Sequence, residues 1–285
     1  MKLPDNFLFS QGSLQDYAEC RRRFQLRYLQ HLAWPALQAE PALENERLMQ
    51  RGARFHRMIQ QVLSGVPADQ LDPPKEEEAL AQWWRNFLAF REHLPGLDNY
   101  SLSEPGDLQL YPELTLSAAL GNSRLVAKFD LIAARPDGRL IIYDWKTSTH
   151  RPRRKWLAER MQTQVYPYLL VRAGQRFAHG SPLQPEQVEM VYWFAEFPED
   201  AEHFAYNTRE FSRVGTALES LVREIEELPP DLFALTEDTD RCRFCQYRSL
   251  CDRGVQAGNL TDLALLPEPE AWQDLDLQDI LEIEY

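Results

Sequence analysis

The chain has 285 residues, of which 44% are hydrophobic and 26% are charged, and its formal net charge at pH 7 is −13. This composition is typical of a globular protein large enough to bury a sizeable core. No apolar run approaches the roughly 18–20 residues of a membrane span, and the N-terminus lacks a signal-peptide pattern. We therefore expect a cytoplasmic protein with no membrane partner. The acidic balance excludes a uniformly basic surface, so any contact with nucleic acid must be local.

The first part of the chain is predicted to be helical. Ser13 is a candidate N-cap for a helix over residues 13–30, in which apolar residues recur at near-helical spacing. The same periodicity predicts helices over 41–63 and about 75–92. Glycine and proline residues mark a break over 64–74, and residues 93–107 are loop-like.

The second part alternates between strands and helices. Three strands are predicted over 108–118, 124–134 and 139–147, with a turn at Pro136–Gly138 that favours a β-meander. Pro112 suggests that the first of them lies at a sheet edge or contains a bulge. A helix over about 155–173, a strand over 187–197 and a helix over about 208–228 follow. The expected fold class is α/β, with a mixed central sheet flanked by helices.

The predicted organisation is a single domain over residues 1–255. Within it we distinguish a helical insert (64–107), a catalytic core (108–228) and a cysteine-rich segment (229–255). Residues 256–285 form an acidic tail in which Ala271, Trp272, Leu275, Leu277, Ile280, Leu281 and Ile283 alternate with acidic residues. Such a tail could dock on a protein partner, cover an active-site cleft as a nucleic-acid mimic, or serve only as a disordered solubilising segment.

A carboxylate–lysine centre is predicted in the second and third strands. Asp130 lies in the second strand, and Asp144 and Lys146 lie two apart in the third, so the last two share a face. Converging carboxylates repel one another unless a cation lies between them, and oxygen ligands suit Mg²⁺ or Mn²⁺. An isolated Asp-x-Lys triplet is usually a surface charge pair. Here the apolar run before Asp144 favours a buried site instead.

The four cysteines are divided into one early and three late residues. Cys20 lies in the first predicted helix, whereas Cys242, Cys245 and Cys251 follow one another closely near the end. Four thiolates can hold a 4Fe–4S cluster or a zinc ion, and the spacing alone does not decide between them. Unliganded core cysteines are the remaining alternative.

Together these motifs resemble the PD-(D/E)xK nuclease superfamily in its RecB-type branch. That branch includes the AddB nuclease domain, exonuclease V and the four-cysteine CRISPR-associated exonucleases. The resemblance implies a restriction-endonuclease-like core whose N- and C-terminal segments are joined by a 4Fe–4S cluster held by the four cysteines. It also implies catalysis with Mg²⁺ or Mn²⁺.

The resemblance assigns roles residue by residue. The metal ligands would be Asp130, Asp144, the backbone carbonyl of Trp145, His56 from the RGARFH segment, and Glu113 on the first strand. Lys146 would assist the attacking water. The Q-x3-Y element of the family fits Gln162 and Tyr166, which would contact substrate phosphate or support the metal site. Gln164 and Tyr168 fit the same spacing, so the register stays open.

Basic residues near these motifs are candidates for contact with DNA. They are Arg21, Arg22, Arg54, Arg153, Arg154 and Lys155, and together they would form a track for phosphates. Any one of these clusters could equally be a solvated helix face. Trp145, Trp156 and Tyr166 are candidates for stacking on bases, although most aromatic residues belong to a core.

The predicted function is metal-dependent hydrolysis of phosphodiester bonds in DNA, directed at single strands or ends. A 5′ to 3′ exonuclease polarity, and a place in DNA repair, recombination or CRISPR adaptation, are implications of the resemblance. Two alternatives stay open. One is a partner-directed accessory subunit of a CRISPR adaptation or recombination complex, and the other is a non-catalytic DNA-binding module.

Overall fold

The computed structural model describes residues 3–4, 6–33, 42–74, 76–92, 94, 108–178 and 182–263. These residues form a six-stranded mixed sheet with helices on both faces, as the α/β prediction required. The strands are β1 (Leu8–Phe9), β2 (Gln109–Leu120), β3 (Ser123–Ala134), β4 (Leu140–Lys146), β5 (Val188–Phe194) and β6 (Phe197–Ala205). Their order is β1–β3–β4–β5–β6, and β2 pairs with β3. The pairs β1–β3 and β4–β5 are parallel, and the others are antiparallel.

The main helices divide into two layers. Their bounds are α1 (Gln11–Glu19), α2 (Arg21–Phe24), α3 (Ala42–Leu63), α4 (Glu78–Arg91), α5 (Arg154–Glu159), α6 (Met161–Ala173) and α7 (Thr208–Glu227). Side chains of α1, α6 and α7 share one buried apolar cluster with one face of the sheet. Side chains of α3 and α4 share a second cluster with the other face. We call these the first and second cores.

The second core is rich in aromatic residues. Phe87 of α4 packs against Trp145 of β4 and Trp193 of β5, and Trp83 of α4 packs against Phe55 of α3. The described part of the segment 64–107 therefore completes a layer of the domain by covering one face of the sheet. A membrane crossing requires a long apolar helix, and none occurs within the described ranges.

The first predicted helix is interrupted at Cys20. Ser10, and not Ser13, is the N-cap of α1, and Ser13 occupies the third helical position of a reciprocal capping box. The backbone at Cys20 is extended, with φ −160° and ψ 104°. Arg22 then donates its backbone N–H to the carbonyl of Ala234 over 3.0 Å. A contact with the distant C-terminal segment thus accompanies the break.

The helix predicted over 155–173 is divided in the same way. The backbone is extended at Arg160, between α5 and α6. The freed N–H of Met161 donates to the side-chain carbonyl of Gln15 on α1 over 3.1 Å. Because an unpaired N–H is costly where water is excluded, this contact stabilises the start of α6 at residue 161.

The region after β5 contains a strand that periodicity did not predict. The predicted strand 187–197 ends at Phe194, and a two-residue turn leads into β6. β6 is an edge strand with exposed acidic residues, a composition that protects sheet edges but weakens the apolar alternation. β2 pairs only with β3 among the described strands, so the edge position expected from Pro112 is confirmed.

Candidate active site

The site lies where β3 and β4 separate. Their pairing runs from Ala134–Leu140 to Leu131–Tyr143 and then stops. The next residues in this register are Asp130 and Asp144. The carboxylate of Asp130 accepts a hydrogen bond from the backbone N–H of Trp145 over 2.8 Å. The side chain of Asp130 thereby pairs with a backbone N–H of β4 that β3 no longer reaches.

Glu113 approaches the same point from β2. In the β2–β3 register it stands opposite Asp130, one step beyond the pair Leu114–Phe129. Its φ of +53° is unusual for a residue other than glycine and marks local strain. Leu110 and Leu114 would share a face in a regular strand, yet they contact the second and first cores respectively. The alternation of β2 is therefore shifted at Glu113.

His56 enters the site from α3. Its Nδ1 lies 3.4 Å from Oδ1 of Asp130. One turn earlier, a Cβ atom at Gly52 would lie 3.1 Å from the hydroxyl of Thr147, which follows β4. A side chain there would press against that hydroxyl, so the glycine permits the close approach that brings His56 to the sheet.

His56, Glu113 and Asp130 together could hold a metal ion. One ligand atom from each lies within 4.8 Å of the other two, and all three side chains are half-buried. Two carboxylates with one imidazole form a ligand set that suits Mn²⁺, and the carboxylate oxygens also suit Mg²⁺. The residues present therefore fit the divalent cation that the sequence predicts.

The two carboxylates of this group differ in their electrostatics. Burial tends to raise the pKa of Asp130, but His56, Lys146 and the N–H of Trp145 outweigh it and hold that pKa below its ordinary value. The pKa of Glu113 is raised by burial and by the charge of Asp130, while Lys128 opposes the rise. The carboxylate of Asp130 is thus stabilised as an anion, whereas repulsion from Asp130 disfavours the anion of Glu113.

Asp144 and Lys146 form a buried network with Gln162 of α6. Nζ of Lys146 lies 2.6 Å from Oδ2 of Asp144, and the amide of Gln162 donates to Oδ1 over 2.6 Å. Lys146 also donates to the amide oxygen of Gln162 over 3.0 Å. The carboxylate of Asp144 therefore contacts these two side chains, and its role as a metal ligand stays a prediction.

The structure distinguishes the two registers of the Q-x3-Y element. Gln162 is buried in the network just described, whereas Gln164 is bound to the carbonyl of Glu159 at 3.2 Å. Tyr166 packs on Phe129 of β3, with ring centroids 4.8 Å apart. Tyr168 instead packs on α7. Of the two predicted pairs, the structure brings the first to Asp144.

One further cation near the metal ligands was not predicted. Lys128 forms an ion pair with Glu113. It lies two residues before Asp130 on β3, so the alternation of a strand puts the two on one face, and this spacing could have predicted it.

Trp145, a predicted base-stacking residue, has its ring buried in the second core, where it cannot contact a base.

The four cysteines are brought to one region. Cys20 lies at the break between α1 and α2, and the charges of Cys242, Cys245 and Cys251 each interact with it or with one another. Burial raises the pKa of each of the three late thiols. All four are half-buried and free of disulfides. The arrangement joins the N-terminal helices to the C-terminal segment.

A zinc ion and a 4Fe–4S cluster require different distances between their sulfur ligands. A tetrahedral zinc ion, with Zn–S bonds of about 2.3 Å, draws its sulfur ligands to within about 4 Å of one another. Among the described residues, the cysteines supply no group of three whose sulfur atoms lie within 4.8 Å. A 4Fe–4S cluster is larger and holds its thiolates farther apart.

Glu19, next to Cys20, connects the cysteine region to α6. It accepts from Arg23 over 2.6 Å, and Nη1 of Arg241, beside Cys242, lies 2.6 Å from its carboxylate. Arg160 reaches the same carboxylate at 3.4 Å. This series of ion pairs therefore extends from the cysteine region to Arg160, which lies two residues before Gln162 in the sequence.

The predicted DNA-contacting residues fall into two groups. Arg21 is paired with Glu224, Arg54 with Glu77 and Arg154 with Glu202, and Arg22 is hydrogen-bonded to Gln25. Arg153 and Lys155 are exposed at the start of α5, and neither has an ion pair within the described part of the chain. The phosphate track stays a prediction for all six residues, and Arg153 and Lys155 are the two whose charges are not already paired within the described chain.

Comparison with known proteins agrees with this arrangement. The model of the PD-(D/E)XK nuclease superfamily matches residues 8–252. The chain belongs to this superfamily. No curated protein matches the chain.

Two solved structures match the chain at low sequence identity. One is a crystal structure of a proposed exonuclease from Eubacterium rectale, with 10% identity and a TM-score of 0.47 over 76% of this chain and 79% of the other. The other is the protein SSO0001, with 15% identity and a TM-score of 0.39 over 86% of this chain and 85% of the other.

The tail residues 264–285, including the predicted docking residues, lie outside the described part of the chain.

Proposed function

We propose that the protein is a metal-dependent deoxyribonuclease that hydrolyses phosphodiester bonds at single-stranded regions or ends, as a 5′ to 3′ exonuclease. The observation that carries this proposal is the meeting of two groups at one fork in the sheet. His56, Glu113 and Asp130 could hold a cation, and Lys146 is held beside them by Asp144 and Gln162. Superfamily membership supplies the reaction class.

The residues divide the chemistry between them. A divalent cation bound at the three ligands supplies a water of lowered pKa and neutralises charge on a phosphoryl oxygen. Lys146 supplies a fixed positive charge for the attacking water or for the charge that develops on phosphate. Gln162 and Asp144 restrict the position of that ammonium group, so little reorganisation is needed during reaction.

We further propose that Cys20, Cys242, Cys245 and Cys251 hold a 4Fe–4S cluster with a structural role. The meeting of the four thiols in one region and the basic residues around them support it, because arginine charge offsets that of thiolates. Arg23 interacts with Cys245, and the side chain of Arg248 donates to the carbonyl of Cys245 over 3.0 Å. Zinc remains the competing occupant, and metal analysis separates the two.

The test uses anaerobically purified protein with 5′- and 3′-labelled single-stranded DNA, Mg²⁺ or Mn²⁺, and a measurement of iron and zinc content. We expect iron-containing protein that shortens the strand from its 5′ end. Lys146→Ala should lower cleavage at least a hundredfold, since removing one such electrostatic contact costs about 10²–10³ in rate. Unchanged cleavage by Lys146→Ala would favour a non-catalytic DNA-binding module contaminated by another nuclease.

A matched pair of acidic substitutions controls for charge. Asp144→Asn removes a buried carboxylate that contacts Lys146, whereas Asp231→Asn changes an exposed one. Only the first should reduce cleavage. Equal activity of the two variants would contradict the assignment of this fork as the active site.

A further inference from the structure

Trp156 is the exposed tryptophan of the described chain. Its exposed fraction is 37%, whereas the others that the structure describes are at most 4% exposed, and these are Trp83, Trp84, Trp145 and Trp193. The second core accounts for the buried ones. The packing of the domain does not account for an indole left at the surface of α5.

The indole is fixed in place by its neighbours. Cζ of Arg160 lies 4.8 Å from the centroid of the ring, and Nη1 of Arg160 lies 3.4 Å from the carboxylate of Glu19. The next residue, Leu157, is fully buried, and its carbonyl accepts from the hydroxyl of Thr163 over 2.5 Å. The ring is therefore held on a short helix that is anchored to α6, and little conformational entropy remains to be lost on binding.

Some of the basic residues near Trp156 form ion pairs with a carboxylate, and others do not. Arg151 and Arg154 both contact Glu202, at 2.6 and 2.7 Å. Arg153 and Lys155 precede Trp156 by three residues and by one residue in the sequence, are exposed, and form no ion pair with any described residue. On a chain of net charge −13, two uncompensated cations beside an exposed indole indicate an anionic, aromatic ligand.

The position relates this surface to the active site. Trp156 lies ten residues after Lys146 and six before Gln162 in the sequence. Six residues span at most about 22 Å even when fully extended, so the indole is within a few nucleotides of the site.

We propose that Trp156 is a base-stacking platform for an unpaired DNA strand, with Arg153 and Lys155 contacting the phosphates of that strand. This inference rests on the proposed deoxyribonuclease function and specifies its substrate. Every base has a π-face, so stacking on an indole tolerates any sequence. A base within a duplex is already stacked on its neighbours, so the platform selects unpaired nucleotides.

The test measures binding apart from cleavage. Fluorescence anisotropy with a labelled oligo-dT strand, and with a blunt duplex of equal length, is recorded on the Lys146→Ala protein with Ca²⁺. Trp156→Ala in that background should raise the Kd for the strand about tenfold and leave the Kd for the duplex unchanged. Trp156→Phe should retain binding within about threefold, because phenylalanine also stacks. The matched control is Leu232→Ala, at a residue 52% exposed.

A second measurement tests the cations. The slope of log Kd against log salt for the strand should fall by about 1.4 in the double variant Arg153→Ala, Lys155→Ala, since each phosphate contact on a single strand contributes about 0.7. Unchanged strand affinity in Trp156→Ala, with a native thermal transition, would overturn the platform.

The two proposals fail in different ways. Strand binding that depends on Trp156, without cleavage by the wild-type protein, would overturn the nuclease and keep the platform. Cleavage that depends on Lys146, with the same KM in wild type and Trp156→Ala, would keep the nuclease and overturn the platform.

Discussion

The side-chain amide of Gln162 donates a hydrogen bond to Oδ1 of Asp144 over 2.6 Å. The same side chain accepts from Lys146, so α6 fixes both charged residues of β4. All three are buried, where an unsatisfied polar group is costly. The helix thereby determines how the carboxylate and the ammonium group face the metal ligands.

This network predicts that Gln162→Ala lowers kcat about a hundredfold with little change in KM. The substitution frees Lys146 from a fixed partner, and loss of one preorganised contact costs about 10²–10³ in rate. The measurement is steady-state cleavage of labelled single-stranded DNA. Gln164→Ala is the matched control, because Gln164 has the same chemistry but contacts only the backbone of Glu159. If the two variants lost equal activity, the register would be wrong.

Asp130 combines two roles that two substitutions can separate. Asp130→Asn retains an acceptor for the N–H of Trp145 but removes a negative charge from the metal ligands. It should abolish Mn²⁺ binding while the melting temperature of the metal-free protein is retained. Asp130→Ala also leaves that N–H unsatisfied, at a cost of about 1–3 kcal/mol. It should melt several degrees lower.

Calorimetric Mn²⁺ titration and thermal unfolding of metal-free protein check this pair. Retained Mn²⁺ binding in Asp130→Asn would contradict the ligand assignment. Equal melting temperatures in the two variants would show that the hydrogen bond to Trp145 contributes nothing.

Lys128 is predicted to compete with a metal ion for Glu113. Its ammonium group pairs with that carboxylate, and a cation held by the same carboxylate would weaken the contact. A half-exposed ion pair contributes up to about 1 kcal/mol. We expect Lys128→Met to bind Mn²⁺ about fivefold more tightly. Calorimetry measures the change, and weaker binding would mean that Lys128 supports the site instead of competing for it.

The sheet was largely predictable because its signals are local. Period-two alternation and the Pro136–Gly138 turn place β3 and β4 side by side, and the Asp-x-Lys spacing puts Asp144 and Lys146 on one face. The breaks at Cys20 and Arg160 were not predictable. They depend on contacts with Ala234 and Gln15, which lie far away in the sequence.

The candidate site shows the same limit. The sequence predicts Asp144 as a metal ligand, which stays a prediction, but it does not indicate that the direction of the carboxylate depends on Gln162 of α6. The two Gln-Tyr pairs of α6 are equivalent by spacing, and only packing on Phe129 distinguishes Tyr166. The contribution of Glu113 depends on a positive φ, which no periodic pattern indicates.

Glu19 is predicted to couple the cysteine region to the stability of the whole domain. Its carboxylate lies 2.6 Å from both Arg23 and Arg241, and 15% of its side chain is exposed. Glu19→Ala leaves Asp16 as the carboxylate partner of Arg23 within the described chain and loses charge-assisted hydrogen bonds of about 2 kcal/mol.

We therefore expect Glu19→Ala to lower the melting temperature by about 4–8 °C, since each kcal/mol corresponds to roughly 2–4 °C in a domain of this size. Iron content should fall as well, because Arg241 directly precedes Cys242 and its ion pair with Glu19 helps to position that cysteine. The control is Glu159→Ala, at an exposed carboxylate of α5. Differential scanning calorimetry and metal analysis on both variants provide the measurement. A native melting temperature with full iron content in Glu19→Ala would show that the ion pairs of Glu19 contribute little to holding the N-terminal helices on the cysteine segment.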